Sequence, residues 1–163
     1  MLLQFVDPNV LFGNEAASFT LLHRLADLAN PFDYSTHENQ LILAKQLLEH
    51  GANVNAVSSP QGQTALHKAC YWVNVINLDF VELLLEAGAD PNVQDNLGMT
   101  PLIRTAPGAP GAVKFLLNWP TTDVNITPRS GELAGIPFLI QVQGLMWCTR
   151  NEIAGSGNPN QTL

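Results

Sequence analysis

Thr64-Ala65-Leu66-His67-Lys68-Ala69-Cys70, followed further along by Gly88-Ala89-Asp90-Pro91-Asn92-Val93, is the stretch from which the fold is read. Both parts recur. Gly51-Ala52-Asn53-Val54-Asn55-Ala56 is an earlier copy of the second part, and Thr121-Thr122-Asp123-Val124-Asn125-Ile126 is a weaker later one. The step from Asn55 to Asn92 is 37 residues and from Asn92 to Asn125 is 33. The first part returns as Thr20-Leu21-Leu22-His23-Arg24-Leu25-Ala26 and as Thr100-Pro101-Leu102-Ile103-Arg104-Thr105-Ala106. Apolar runs such as Phe80-Val81-Glu82-Leu83-Leu84-Leu85 lie between the two parts. Self-similarity at such a spacing marks a stack of repeated supersecondary units.

Local chemistry predicts what each unit is. Thr64 and Thr100 can accept from a free backbone N–H at a helix start. Pro101 then occupies the first helical position, where a missing N–H costs nothing. Leu66, Ala69 and Cys70 fall at i, i+3 and i+4 and make one apolar stripe. A second helix begins near Asp79, with Glu82 three residues on in an acidic version of the capping box. Its apolar face carries Phe80, Leu83 and Leu84. Gly88, and Gly51 one unit earlier, supply the left-handed residue that ends a helix. The unit is therefore helix, turn, helix, Gly stop, loop.

Composition limits the function. The chain of 163 residues suits one domain. Seven Lys and Arg against fourteen Asp and Glu give a formal charge of −7. A phosphate backbone or an anionic membrane surface is a poor partner for such a chain. Charged residues make up 13%, against about 25% in typical domains, which argues against a disordered polyelectrolyte. Apolar runs stop far short of the roughly 18 residues of a membrane span. The start, Met1 to Pro8, has no basic n-region. Two cysteines, Cys70 and Cys148, fit a reducing, intracellular compartment better than a stapled secreted scaffold.

The motifs resemble the ankyrin repeat. The family pattern Gly-x-Thr-Pro-Leu-His-x-Ala-Ala, then Leu-Leu-Leu, then Gly-Ala-Asp-Val-Asn-Ala is met by Gly62 to Cys70 with Leu83-Leu84-Leu85 and Gly88-Ala89-Asp90, and again by Gly98-Met99-Thr100-Pro101-Leu102. The resemblance covers about residues 18 to 126 and implies an all-α solenoid of stacked helix-turn-helix units with projecting loops. On this reading 18–131 is an ankyrin domain of about three repeats. Residues 1–17 hold a remnant of a preceding repeat, because Asp7-Pro8-Asn9-Val10 copies Asp90-Pro91-Asn92-Val93. Residues 132–150 are a degenerate cap, a partial fourth repeat or unrelated sequence, and 151–163 a disordered tail. The spacing also predicts an extra loop at Asp27–Gln40 and a smaller insertion at Tyr71–Asn77. Pro107 to Gly111 should end one helix early and start the next. Thr121 stands where the stop Gly belongs, so that turn should close differently. The third unit is faintly similar to ankyrin regions beside MYND-type zinc fingers of fungal proteins, but the cysteines of such a finger are missing.

Catalytic and metal readings find little support. The resemblance makes His23 and His67 structural, tying helix starts to neighbouring backbone. His50 lies in the last turn of a helix, where a cation is mildly favoured. His37 sits near Asp33 and Glu38, too few ligands for a metal site. Cys70 faces the packed stripe and lacks a base other than His67. Gly108 and Gly111 are not followed by the Lys-Ser/Thr of a phosphate loop. No enzyme activity and no cofactor are expected.

The resemblance implies instead a wall of loops and short first helices that binds a protein partner. Candidate contact residues are Lys68, Tyr71, Trp72, Asp95, Asn96, Leu97, Met99 and Arg104, with Arg24 also exposed. Tyr, Trp and Arg dominate interface energies, so Trp72 with Tyr71 is the candidate anchor. The alternative packs Trp72 over Val73-Asn74-Val75-Ile76 as a local mini-core, and the residues leave both open. Nucleic acid and membrane are not expected partners. Phe138, Leu139, Ile140 and Trp147 suggest self-association through the C-terminal end. The competing functional reading is a structural or scaffolding fragment of a larger protein without independent activity.

Overall fold

The computed structural model of the chain describes residues 7–14, 17–27, 34–71, 78–105, 110–126 and 128. All of them fall in one compact unit, Met1–Gly131. Six helices follow in chain order: α1 (Leu21–Asp27), α2 (Tyr34–Glu49), α3 (Ala65–Tyr71), α4 (Leu78–Glu86), α5 (Pro101–Arg104) and α6 (Pro110–Asn118). They pair as α1–α2, α3–α4 and α5–α6, and the short first helices pack in sequence, α1 on α3 and α3 on α5, while α2 packs on α4. This is a helix-turn-helix solenoid. Leu66 is fully buried and Leu102 nearly so, in equivalent places of the first helices α3 and α5, and Leu84 is fully buried on the second helix α4. Burying each such side chain contributes about 1.5–3 kcal/mol.

The expected caps form, with differences. Thr100 caps α5 in extended backbone and accepts from the Ile103 N–H, with Pro101 first in the helix. Gly51 and Gly88 adopt φ of 87° and 89°. At each, paired bonds close the helix: Gly51 N–H to the Leu48 carbonyl and Ala52 N–H to Leu47, then Gly88 to Leu85 and Ala89 to Leu84. Thr121 lacks that freedom, and among the described residues only glycines have positive φ. The third turn closes instead by Trp119 N–H to the Leu116 carbonyl and Thr122 N–H to Trp119. The buried face of α4 is Phe80, Val81, Leu84 and Leu85. Leu83, expected on that face, is only half-buried, because the stripe runs one position further round the helix.

Two further expectations are corrected. The Asp27–Gln40 insertion is not a loop throughout. From Tyr34 it extends the second helix, so α2 has 16 residues where α4 and α6 have nine. Gln40 lies buried on it and donates to the Leu25 carbonyl at 2.6 Å, satisfying an end carbonyl of α1. The architecture also holds a hairpin that an all-α reading omits. Strands β1 (Phe12–Asn14) and β2 (Ala17–Phe19) run antiparallel, with Phe12 opposite Phe19 and Asn14 opposite Ala17. The Tyr71–Asn77 insertion, beyond Tyr71, and residues 132–163 lie outside the described residues.

A ladder of asparagines stitches the unit ends together. Asn9 Nδ2 donates to the Gly51 carbonyl (3.1 Å) while its Oδ1 accepts from the Asn53 N–H (2.6 Å). Asn55 makes the same pair with Gly88 (3.1 Å) and Asp90 (2.8 Å), and Asn92 with Thr121 and Asp123 (both 2.7 Å). Asn125 turns its amide onto its own Asp123. Replacing Asn55 by Ala removes two inter-unit bonds at an exposed place where water can substitute, so a loss of about 1 kcal/mol is expected in urea unfolding.

Candidate functional site

Three loops form one hydrogen-bonded row. The β1–β2 hairpin joins the second loop through Ser18 and Ser59, whose N–H groups donate to each other's carbonyls at 3.2 and 2.8 Å. The second loop joins the third through Asn96, whose N–H donates to the Gln61 carbonyl at 3.0 Å and whose side-chain amide donates to the Pro60 carbonyl. The tips carry exposed apolar side chains, Val57 at 54% and Leu97 at 50% relative exposure. The second loop, held at both sides, presents Val57 with little entropy left to lose on binding, and the third loop, which carries Leu97, is tied to the second on one side.

Asp95 was expected to face a partner, but it is buried and internally committed. Its Oδ1 accepts from the Leu97 N–H (2.9 Å) and the Met99 N–H (3.0 Å), and its Oδ2 accepts from Arg104 Nε. A carboxylate inside a turn is stable only when so paired. Arg104, likewise expected to be exposed, has its guanidinium held by Asp95 and lies 3.2 Å from the Gln63 side-chain amide, whose oxygen is the atom that can accept from it. The pair fixes the third loop and cannot also be a free contact surface. In the second loop Ser58 takes the equivalent place, its Oγ donating to the Gln63 carbonyl at 3.1 Å.

The other candidates divide. Asn96 and Leu97 are exposed at the third tip, and Met99 is half-buried. Lys68 is half-buried on α3 and its ammonium pairs with both Asp27 oxygens at 3.1 and 2.9 Å, bridging first helices of adjacent units. Arg24 is exposed on α1. Tyr71 closes α3, its side chain outside the description, and Trp72 lies outside the described residues. Sequence reasoning missed the bridging of Asn96 to Gln61 and Pro60, for which one sequence carries no signal. The Asn ladder had a signal, the regular Asn steps.

His23 and His67 act as latches between units. Thr20 N–H donates to His23 Nδ1 at 3.2 Å, and His23 Nε2 lies 2.9 Å from the Gln63 carbonyl. In the next unit Thr64 N–H donates to His67 Nδ1 at 3.1 Å, and Nε2 lies 3.0 Å from the Met99 carbonyl. A backbone N–H can only donate and a carbonyl can only accept, so the imidazole must be neutral with its proton on Nε2. Burial lowers the pKa of both, against the opposing pull of the accepting carbonyls. The third unit has Ile103 in this slot and lacks a latch.

With both ring nitrogens engaged, His67 has none left to activate Cys70. The Cys70 thiol is fully buried and burial pushes its pKa up to about 12. In a Cys148→Ser background, iodoacetamide at pH 8 should alkylate the folded chain at least ~100-fold more slowly than the urea-unfolded chain. Among the described residues no cluster of His, Cys, Asp or Glu could hold a metal ion, and no helix is long and apolar enough to cross a membrane.

Latched helical hairpins with a row of tied loops define a repeat solenoid of the recognition class. The family pattern for ankyrin repeats in three copies matches residues 13–95 and 32–128, and the chain belongs to the ankyrin repeat family. Ankyrin repeats are generally protein–protein interaction modules and typically non-catalytic. The chain is 40% identical over 86 residues to the Neurogenic locus Notch protein of Drosophila melanogaster, covering 52% of this chain and 3% of that protein. It is 47% identical over 73 residues to the human 2-5A-dependent ribonuclease, covering 45% of this chain and 9% of that protein. It is 31% identical over 100 residues to human neurogenic locus notch homolog protein 2, covering 61% and 4%. The chain thus spans under a tenth of the length of these relatives.

Proposed function

We propose that the chain is a non-enzymatic module that binds a protein partner across its loop tips and first helices. The observation that carries this reading is the row of tied loops with Val57 and Leu97 half-exposed at the tips. The contact set is Lys68, Tyr71, Trp72, Asn96, Leu97 and Met99, with Asp95 and Arg104 shaping the third loop from within. Affinity capture comparing the wild type with Leu97→Glu and with the Tyr71→Ala/Trp72→Ala pair tests it. Partner retention should fall at least ~10-fold, as expected for residues at the centre of an interface, with the melting temperature unchanged for Leu97→Glu. Full retention by both variants would move the binding surface elsewhere.

We also propose the division 1–17, 18–131, 132–150 and 151–163, with the ladder position of Asn9 supporting a repeat end at Asp7–Val10. The hairpin Phe12–Phe19 straddles the first boundary and argues for moving it towards the N-terminus. A reducing intracellular setting fits the buried, free Cys70. A second reading, a scaffolding part of a larger protein, is favoured by the small share of its relatives that the chain spans.

A further inference from the structure

Building on the loop-tip reading above, we propose that the surface extends onto the β1–β2 hairpin and takes an uncharged, apolar segment of a partner protein across three tips in a row. The order of the row is set by one ring contact and by hydrogen bonds. The Phe12 ring of β1 stacks on Phe19 of β2 with centroids 6.4 Å apart. Ser18 of β2 exchanges backbone bonds with Ser59 of the second loop, and Asn96 of the third loop bonds to Gln61 and Pro60 of the second. Six large apolar side chains are exposed among the described residues, and five of them lie on this row. Val10, Leu11 and Phe12, on or just before β1, are 41%, 59% and 44% exposed, and Val57 and Leu97 stand on the second and third loops. The sixth, Ile42, is on α2. Exposed apolar side chains scattered singly need no explanation, whereas their concentration along one edge marks an interaction site.

Charge is missing from the same row. Residues 56–63 hold no charged side chain, and in 94–99 the single one, Asp95, is buried against Arg104. The described residues of the hairpin, 10–14 and 17–19, hold none, and Glu15 between the strands lies outside the described residues. The polar groups at the base of each loop are engaged within the fold. The Gln63 carbonyl accepts from the Ser58 N–H, the Ser58 hydroxyl and His23 Nε2. The Met99 carbonyl accepts from the Asp95 N–H and His67 Nε2. Such bonds hold the tips in place and leave apolar contact as the main interaction they can offer.

Charge also sorts the partners that could settle there. Exposed acids stand on the second helices, Glu49 on α2 and Glu82 and Glu86 on α4. A basic segment is drawn to those helices and away from the tips, and an acidic one is repelled by a chain of charge −7. A charged group pressed onto the tips would lose its water without gaining a counter-charge. An uncharged segment escapes both effects and gains from covering the apolar side chains.

Panning a random dodecapeptide phage library on the full chain, and then measuring the selected peptides by fluorescence anisotropy, tests this. The expected peptides carry two or more large apolar side chains and no net charge. Their affinity should change less than about 2-fold between about 50 and about 500 mM NaCl. Leu97→Glu, and separately Val10→Glu with Leu11→Glu, should each weaken binding at least ~10-fold without moving the melting temperature, while Ile42→Glu leaves it intact. Charged peptides whose affinity falls more than ~10-fold over that salt range overturn the uncharged class, and the loop-tip reading stands if Leu97→Glu still weakens them. Peptides that respond to Leu97→Glu but not to the hairpin pair remove the hairpin from the surface. Peptides indifferent to every tip substitution overturn both the proposal and the loop-tip reading. A library that yields no binder beyond those of an unrelated carrier protein overturns the proposal. So does a chain that dimerises by itself in sedimentation velocity and loses its dimer in the hairpin pair, since a second copy then takes the place of the partner.

Discussion

Replacing His67 by alanine should cost about 3–5 kcal/mol, a large share of the 5–15 kcal/mol of a typical domain. Three groups lose their partner together. The Thr64 N–H and hydroxyl both face His67 Nδ1, at 3.1 and 2.8 Å, and the Met99 carbonyl faces Nε2. Thr64 and His67 are buried, so water does not readily replace the ring. Each buried group left unpaired costs about 1–3 kcal/mol, and the emptied ring volume adds to it. In a stack stabilised by nearest-neighbour contacts, the loss falls on the junction between the second and third units. Urea unfolding followed by circular dichroism should therefore show both a lower midpoint and a split transition, the third unit melting first. His67→Gln keeps a donor near Met99 and should recover part of the loss. A His67→Ala chain that unfolds in one step within 1 kcal/mol of the wild type would remove the latch as a source of stability.

The latches also separate what the sequence discloses from what it withholds. The twin Thr-x-x-His elements are local, and a threonine three residues before a histidine at a helix start admits few geometries. Thr64 and His67 could be assigned from neighbours in the chain. The partner of His67, the Met99 carbonyl, lies 32 residues away and is reached only because units stack in register. The same division explains the errors. Asp95 sits in a polar loop and looks like surface, and nothing in Gln94-Asp95-Asn96 announces that three donors turn inwards onto it. Its burial follows from Arg104 arriving from α5 and from Leu97 and Met99 curling over. Leu83 and Leu84 are adjacent in one apolar run, and only the packing of α4 against α2 and α3 decides which is buried. The β1–β2 hairpin escapes a repeat-based reading for another reason. Its strands have three residues each, too few for a period-2 pattern to emerge. Helix identity, caps and unit order are thus local properties, whereas the loop row and the committed acid depend on contacts between units.

Mild acid should loosen the same junctions. His23 and His67 have folded pKa values below the ordinary value of 6.5 because burial penalises the imidazolium. In the unfolded chain they titrate near 6.5. Above that pH neither state is protonated and the latch contribution is complete. As pH falls through 6.5, the unfolded chain takes up protons that the folded chain refuses, so stability drops until the folded pKa values are passed. Each histidine adds a slope of at most about 1.4 kcal/mol per pH unit, so the pair adds at most about 2.7. Charged neighbours pull in both directions: Asp27 and Lys68 near His23, Asp95 and Arg104 near His67. The hydrogen-bond geometry gives the sign a second basis, because a proton on Nδ1 would confront the Thr20 or Thr64 N–H. Melting between pH 7.5 and 5.5, above the range where carboxylates titrate, should show the midpoint falling steadily in the wild type. The His23→Gln/His67→Gln chain, less stable throughout, should show a much flatter profile, since Gln carries no proton to exchange. Parallel profiles for the two chains would mean that the acid response arises outside the latches.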